Sequence, residues 1–136
     1  MFAVPQTGYR GAMSVRTISL VRHEGGACIV ALRGEHDLAS VDELKETLNQ
    51  AADGSLVIVD LSDAAFIDSA VLGALITSHR DTVDSGRRWA LVVGRESGAA
   101  VRRILELTGL DAVLPVYSRQ EDALVPSSHS SLGVPR

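Results

Sequence analysis

Asp68-Ser69 is the pair of residues with the clearest capacity for chemistry. It follows the apolar run Leu56 to Leu61 and stands directly before Val71, Leu72, Leu75 and Ile76, which are spaced as one face of a helix. A serine hydroxyl at such a junction can accept a phosphoryl group, donate a hydrogen bond to a partner, or cap the helix. Asp and Ser are favoured at helix N-termini because their oxygens satisfy free backbone N–H groups, so local chemistry alone favours the cap. Asp37 stands in a comparable place after the strand-like run Ala27 to Leu32, where an Asx-turn leading into a helix and a functional contact are both open readings. His36 beside it is expected to be exposed, able to tune an interface with pH.

Enzymatic readings of these groups find little support. Ser69, His36 and Asp37 could be drawn as a hydrolase triad, yet no Gly-x-Ser-x-Gly elbow surrounds Ser69. The chain also contains no Gly-x-x-x-x-Gly-Lys-[Ser/Thr] phosphate loop and no His-Glu-x-x-His helix. The expectation is a protein that is not an enzyme and needs no metal or other cofactor.

The elements that must position these residues are readable from periodicity. Thr17 to Arg22 and Ala27 to Leu32 are expected to pair as a hairpin around Gly25-Gly26, and the chain is expected to turn after Gly34. Ser40 to Glu43 has the spacing of a capping box and opens a helix carrying Val41, Leu44 and Leu48. The continuous run Leu56 to Leu61 reads as a strand covered on both faces, followed by a loop. A second helix is expected from Ser69 to Asp84, closed by Gly86, with His79 packing at its boundary. Trp89 to Val93 is a further strand. Ser97 is expected to cap a helix carrying Val101, Ile104 and Leu105, which Gly109 ends. A short strand over Ala112 to Val116 and a helical turn over Gln120 to Val125 complete the unit. Strands alternating with helices require crossovers, so the expected class is α/β, a mixed sheet with an antiparallel edge hairpin and about three to four helices.

Composition is consistent with one such domain. The 136 residues are 46% hydrophobic and 22% charged, which suits a globular chain with a buried core. Aromatics are 4%, too few for a stacking platform on single-stranded nucleic acid. A net charge of −4 offers no general attraction to nucleic acid or an anionic membrane. Arg80, Arg87, Arg88, Arg95, Arg102 and Arg103 crowd the second half and read as solvated or protein-contact faces. The single cysteine, Cys28, sits among apolar residues and reads as a buried structural thiol. Residues 1–14 read as a flexible leader, 15–125 as the domain and 126–136 as a disordered tail. No apolar run approaches the roughly 20 residues that a membrane span needs, and a cytoplasmic location is the simplest expectation.

Three segments in order share a family pattern: Gly34-Glu35-His36-Asp37 before a helix, Phe66-Ile67-Asp68-Ser69 followed by Leu72-Gly73, and Val101-Arg-Arg-Ile-Leu-Glu-Leu-Thr-Gly109-Leu110. Together they resemble the STAS family, in particular bacterial anti-sigma factor antagonists, over Thr17 to about Leu124. The resemblance implies a STAS-type fold and a partner that is both an anti-sigma factor and a serine kinase of the histidine-kinase-like ATPase type. It implies that the unphosphorylated chain binds this partner and frees a sigma factor. Phosphorylation of Ser69 would release the antagonist, and a serine phosphatase would reset it. Asp37, Asp68, Ser69 and His36 are the partner-binding residues that the resemblance and their positions suggest. Family members often carry a second serine and a glycine where this chain has Ala70 and Val71, which leaves Ser69 as the acceptor. STAS domains also serve as scaffolds and as small-molecule or nucleotide sensors, so these remain alternative roles.

Overall fold

Residues 16–125 are described by a computed structural model. The expected flexible leader, 1–14, and disordered tail, 126–136, lie outside them, as does residue 15 of the expected domain. Among the described residues, five strands form one sheet in chain order: β1 (Thr17–Arg22), β2 (Ala27–His36), β3 (Leu56–Ile67), β4 (Arg88–Val92) and β5 (Val116–Tyr117). β1 runs antiparallel to β2, whereas β2–β3, β3–β4 and β4–β5 are all parallel. The parallel pairs need crossovers, supplied by α1 (Val41–Ala51), α2 (Ser69–Asp84) and α3 (Ala99–Thr108). A short α4 (Gln120–Ala123) follows β5. This is the mixed sheet with an antiparallel edge that the alternation predicts.

Side-chain alternation explains why the central strands are apolar throughout. Cys28, Val30, Leu32, Val57, Val59, Leu61, Trp89, Leu91 and Val93 face one large core, which the buried faces of α1, α2 and α3 complete. Ala27, Ile29, Leu56, Ile58, Ala90 and Val92 face the opposite side, where Ala123 of α4 joins them. A strand covered on both faces has no place for a polar residue until it leaves the core. Cys28 is buried, as its apolar neighbours suggest, and its sulfur accepts a hydrogen bond from Arg22 Nη1 at 3.2 Å. The same guanidinium reaches Asp53 at 3.0 Å, and this hydrogen bond and its charge hold the Asp53 carboxyl below the ordinary carboxylate range.

Four local expectations are corrected. The chain does not turn after Gly34: β2 continues to His36, and Gly34 at φ +86° accommodates the irregular register that lets it do so. Likewise β3 runs to Ile67, so the segment after Leu61 is strand rather than loop. Ser62-Asp63-Ala64-Ala65 has weak strand propensity, but pairing with β2 decides its conformation. Ser40 and Ser97 do not cap α1 and α3 through their side chains. Ser40 is committed to Asp37 and His36, while the N-cap of α3 is Gly98, whose backbone lies so close to Val93 that a Cβ would approach it to 2.6 Å. The last strand is Val116–Tyr117, because Leu110–Ala112 forms a 3-10 turn behind the left-handed Gly109.

Candidate functional site at the paired ends of β2 and β3

The parallel strands β2 and β3 finish side by side, with His36 opposite Ile67. The next residues are Asp37 and Asp68, brought to neighbouring positions about 5 Å apart by the spacing of paired strands. Both aspartates act as caps. Asp37 Oδ1 accepts the N–H of Ala39 at 3.0 Å and so starts the 3-10 turn Leu38–Ser40. Asp68 Oδ1 accepts the N–H of Val71 at 3.1 Å, at the first turn of α2. The structural role weighed for each is therefore real, and it is also what fixes them at this edge.

Ser69 is the first residue of α2 and is exposed to solvent. Helix backbone N–H groups converge on this end, which favours negative charge there. Val71, two positions on, is fully buried in the large core, so the side chain that departs from the family pattern points away from the Ser69 surface. Ser69 is thus accessible on a rigid support: its helix is packed beneath it and its strand is hydrogen-bonded beside it.

His36 is not exposed. It is 1% accessible, and the expectation that it is exposed is corrected by this burial. Its Nε2 lies 2.8 Å from the carbonyl oxygen of Arg33. A carbonyl can only accept, so Nε2 carries a proton there, and Nδ1 lies 3.1 Å from Ser40 Oγ. Ser40 Oγ also lies 3.1 Å from the carbonyl oxygen of Asp37, within donating reach. His36 therefore braces the turn that presents Asp37.

Three surface residues at this edge add to those that the sequence singles out as partner contacts. Leu38 and Phe66 are exposed by 72% and 44%, unusual for large apolar side chains flanking two aspartates. Leu38 directly follows Asp37, and Phe66 stands two positions before Asp68. Arg16 pairs with Asp37 at 3.0 Å. That contact spans 21 positions and had no local signal. Nearby, Arg33 pairs with Asp63 at 3.3 Å. Among the described residues, no cluster of three His, Cys, Asp or Glu side chains could hold a metal ion, and no helix is long and apolar enough to cross a membrane.

Known proteins resemble this chain in sequence and in fold. An anti-sigma F factor antagonist of Paenibacillus polymyxa is 25% identical over 107 residues, covering 76% of this chain and 89% of the relative. The crystal structure of an anti-sigma factor antagonist from Mycobacterium paratuberculosis superposes with a TM-score of 0.71 at 28% identity, covering 81% of this chain and 92% of that one. The Bacillus cell fate determinant SpoIIAA, solved in its phosphorylated form, shares the fold with a TM-score of 0.60 at 17% identity, over 78% of this chain and 96% of that one. Anti-sigma factor antagonists are regulatory binding proteins rather than enzymes. The sequence model of the STAS domain matches residues 19–123, from the edge strand through α4 and across the whole Asp37–Ser69 edge; the chain belongs to the STAS domain family.

Proposed function

We propose that this chain is a cytoplasmic anti-sigma factor antagonist whose docking edge is the paired end of β2 and β3, switched by phosphorylation of Ser69. The observation that carries the reading is the exposed Ser69 at the N-terminus of α2, one residue after Asp68 and beside Asp37. Leu38 and Phe66 supply apolar area for a partner to cover, and Asp37 and Asp68 supply acidic contacts. The partner is an anti-sigma factor that is also a serine kinase of the histidine-kinase-like ATPase type.

In the transfer step Ser69 Oγ attacks the γ-phosphorus of the kinase's ATP. A new P–O bond forms, the bond to the β-phosphate oxygen breaks, ADP leaves, and the hydroxyl proton passes to a base on the partner. The product carries about −1.5 to −2 extra charge at neutral pH. At the helix terminus that charge gains roughly 0.3–1 kcal/mol, while repulsion from Asp68 costs a similar amount in high dielectric. The fold therefore survives. An interface built around a neutral hydroxyl does not, because burying an unpaired charge there costs about 2–5 kcal/mol, or roughly thirtyfold to several thousandfold in affinity. A serine phosphatase then restores the hydroxyl.

Intact-mass spectrometry of the chain from its native host, with peptide mapping around Ser69, tests the switch. A single phosphate on Ser69, with the kinase partner retained only by the unmodified form, is the expected result. An unmodified Ser69 in both growing and stressed cells would overturn phosphorylation and leave constitutive binding or scaffolding.

A further inference from the structure

We propose that Arg16 is a positioning residue that serves as the charge partner of the Ser69 site. It is bound to Asp37 while the serine is unmodified and is drawn to the phosphate once one is added. The use of this device rests on the phosphorylation reading above.

The placement follows from the sheet order. β1, β2 and β3 are neighbours in that order, Arg16 immediately precedes β1, and its Nη1 lies 3.0 Å from Asp37 Oδ1 at the end of β2. Asp37 in turn stands beside Asp68 because His36 and Ile67 are paired and the Asp68 N–H donates to the His36 carbonyl at 3.2 Å. Ser69 is the next residue. A phosphate on its Oγ stands on the order of 10 Å from the Asp37 carboxylate across the paired strand ends, the gap that the Arg16 guanidinium must bridge. Arg16 and Asp37 are 43% and 55% exposed, leaving the guanidinium free to swing.

Charge balance supplies the direction. Arg33 and Glu35 of β2, Asp63 of β3, and the caps Asp37 and Asp68 that follow these strands carry the charge here, and Arg33 is already paired with Asp63 at 3.3 Å. A phosphate added here meets an acidic edge, and Arg16 is the cation already in ion-pair contact with Asp37. An exposed pair with a single carboxylate is weak, whereas a dianionic phosphate offers a stronger, bidentate partner to the planar guanidinium. The same exchange releases Asp37 from its cation, so the modified surface differs from the unmodified one at two acidic positions.

The test uses the full chain with phosphoserine inserted at position 69 during translation, so that no kinase is needed. The phosphorus NMR signal is followed through the second ionisation of the phosphate, which lies near pH 6. Arg16→Ala should raise that midpoint by about half a pH unit, because losing a nearby cation disfavours the dianion. Arg16→Lys should recover most of the difference, and Asp37→Asn should move the midpoint the other way. A titration unchanged by Arg16→Ala would overturn the proposal, even if a kinase modifies Ser69 readily. If no kinase ever does so but the midpoint moves, the phosphorylation reading fails while the pairing stands.

Discussion

The carbonyl oxygen of His36 accepts the amide N–H of Asp68 at 3.2 Å, tying the exit of β2 to the entry of α2. Through this bond the turn holding Asp37 and the helix holding Ser69 are parts of one rigid edge. Changes in the strand pairing are therefore felt at both residues.

Ser69→Ala should leave stability within about 0.5 kcal/mol of the parent, because the side chain is exposed and Asp68 does the capping. Its affinity for the anti-sigma partner should be kept. Ser69→Asp should lower that affinity by at least about tenfold with the fold intact. Titration calorimetry and urea denaturation on the same samples separate the two effects.

Asp68→Ala removes the cap on the Val71 N–H and should cost about 0.5–2 kcal/mol of stability. Asp68→Asn keeps an accepting oxygen and should cost less. If both variants weaken partner binding equally while only the first is destabilised, the charge of Asp68, rather than its capping bond, is what the partner reads.

Replacing His36 with Phe leaves the Arg33 carbonyl and the Ser40 hydroxyl short of a buried partner, at about 1–3 kcal/mol. A double-mutant cycle with Ser40→Ala should show a coupling of about 0.5–3 kcal/mol, since the two residues share one network. Amide exchange should speed up selectively over Asp37 to Ser40.

Burial lowers the pKa of His79, which meets Trp89 edge to face at a centroid distance of 5.2 Å. The unfolded chain therefore binds a proton more readily than the folded one. This contribution to stability is full above the unfolded value near 6.5. It declines as pH falls through that value and levels off below the folded pKa. Urea midpoints at pH 8 and pH 5, read by the fluorescence of the single tryptophan, should converge partly in a His79→Gln variant.

Gly98→Ala should destabilise the chain by about 1–3 kcal/mol, since the new methyl meets Val93 Cγ1 at 2.6 Å and the Gly94 carbonyl at 2.8 Å. Gly73→Ala is the control. No atom outside its own helix and its chain neighbours lies within 4 Å of a Cβ at that position, and alanine is the better helix former. Thermal melts of the two variants should therefore move in opposite directions.

Periodicity located α2 at Ser69–Asp84 because its start, apolar stripe and closing Gly86 all agree. The full length of β3 was not legible, since Ser62 to Ala65 adopts a strand only through its neighbour β2. Ser69 and the two aspartates could be found from local spacing and resemblance. The burial of His36 and the pairing of Arg16 could not, because each depends on contacts set by the folded chain. Ser40 does not cap α1 for a related reason: it has a buried partner, His36, that its own sequence neighbourhood does not single out.

The buried sulfur of Cys28 turns the chain into its own stopwatch. A thiol 1% accessible, with the backbone of Gly54 close against it, meets a labelling reagent only when β2 comes away from the sheet. The rate at which maleimide is consumed therefore counts how often the core opens. A cysteine placed at exposed Leu38 would react at the speed of free solution and mark the docking edge instead. If a phosphate on Ser69 changes the second rate and leaves the first alone, the signal travels along the surface without passing through the interior.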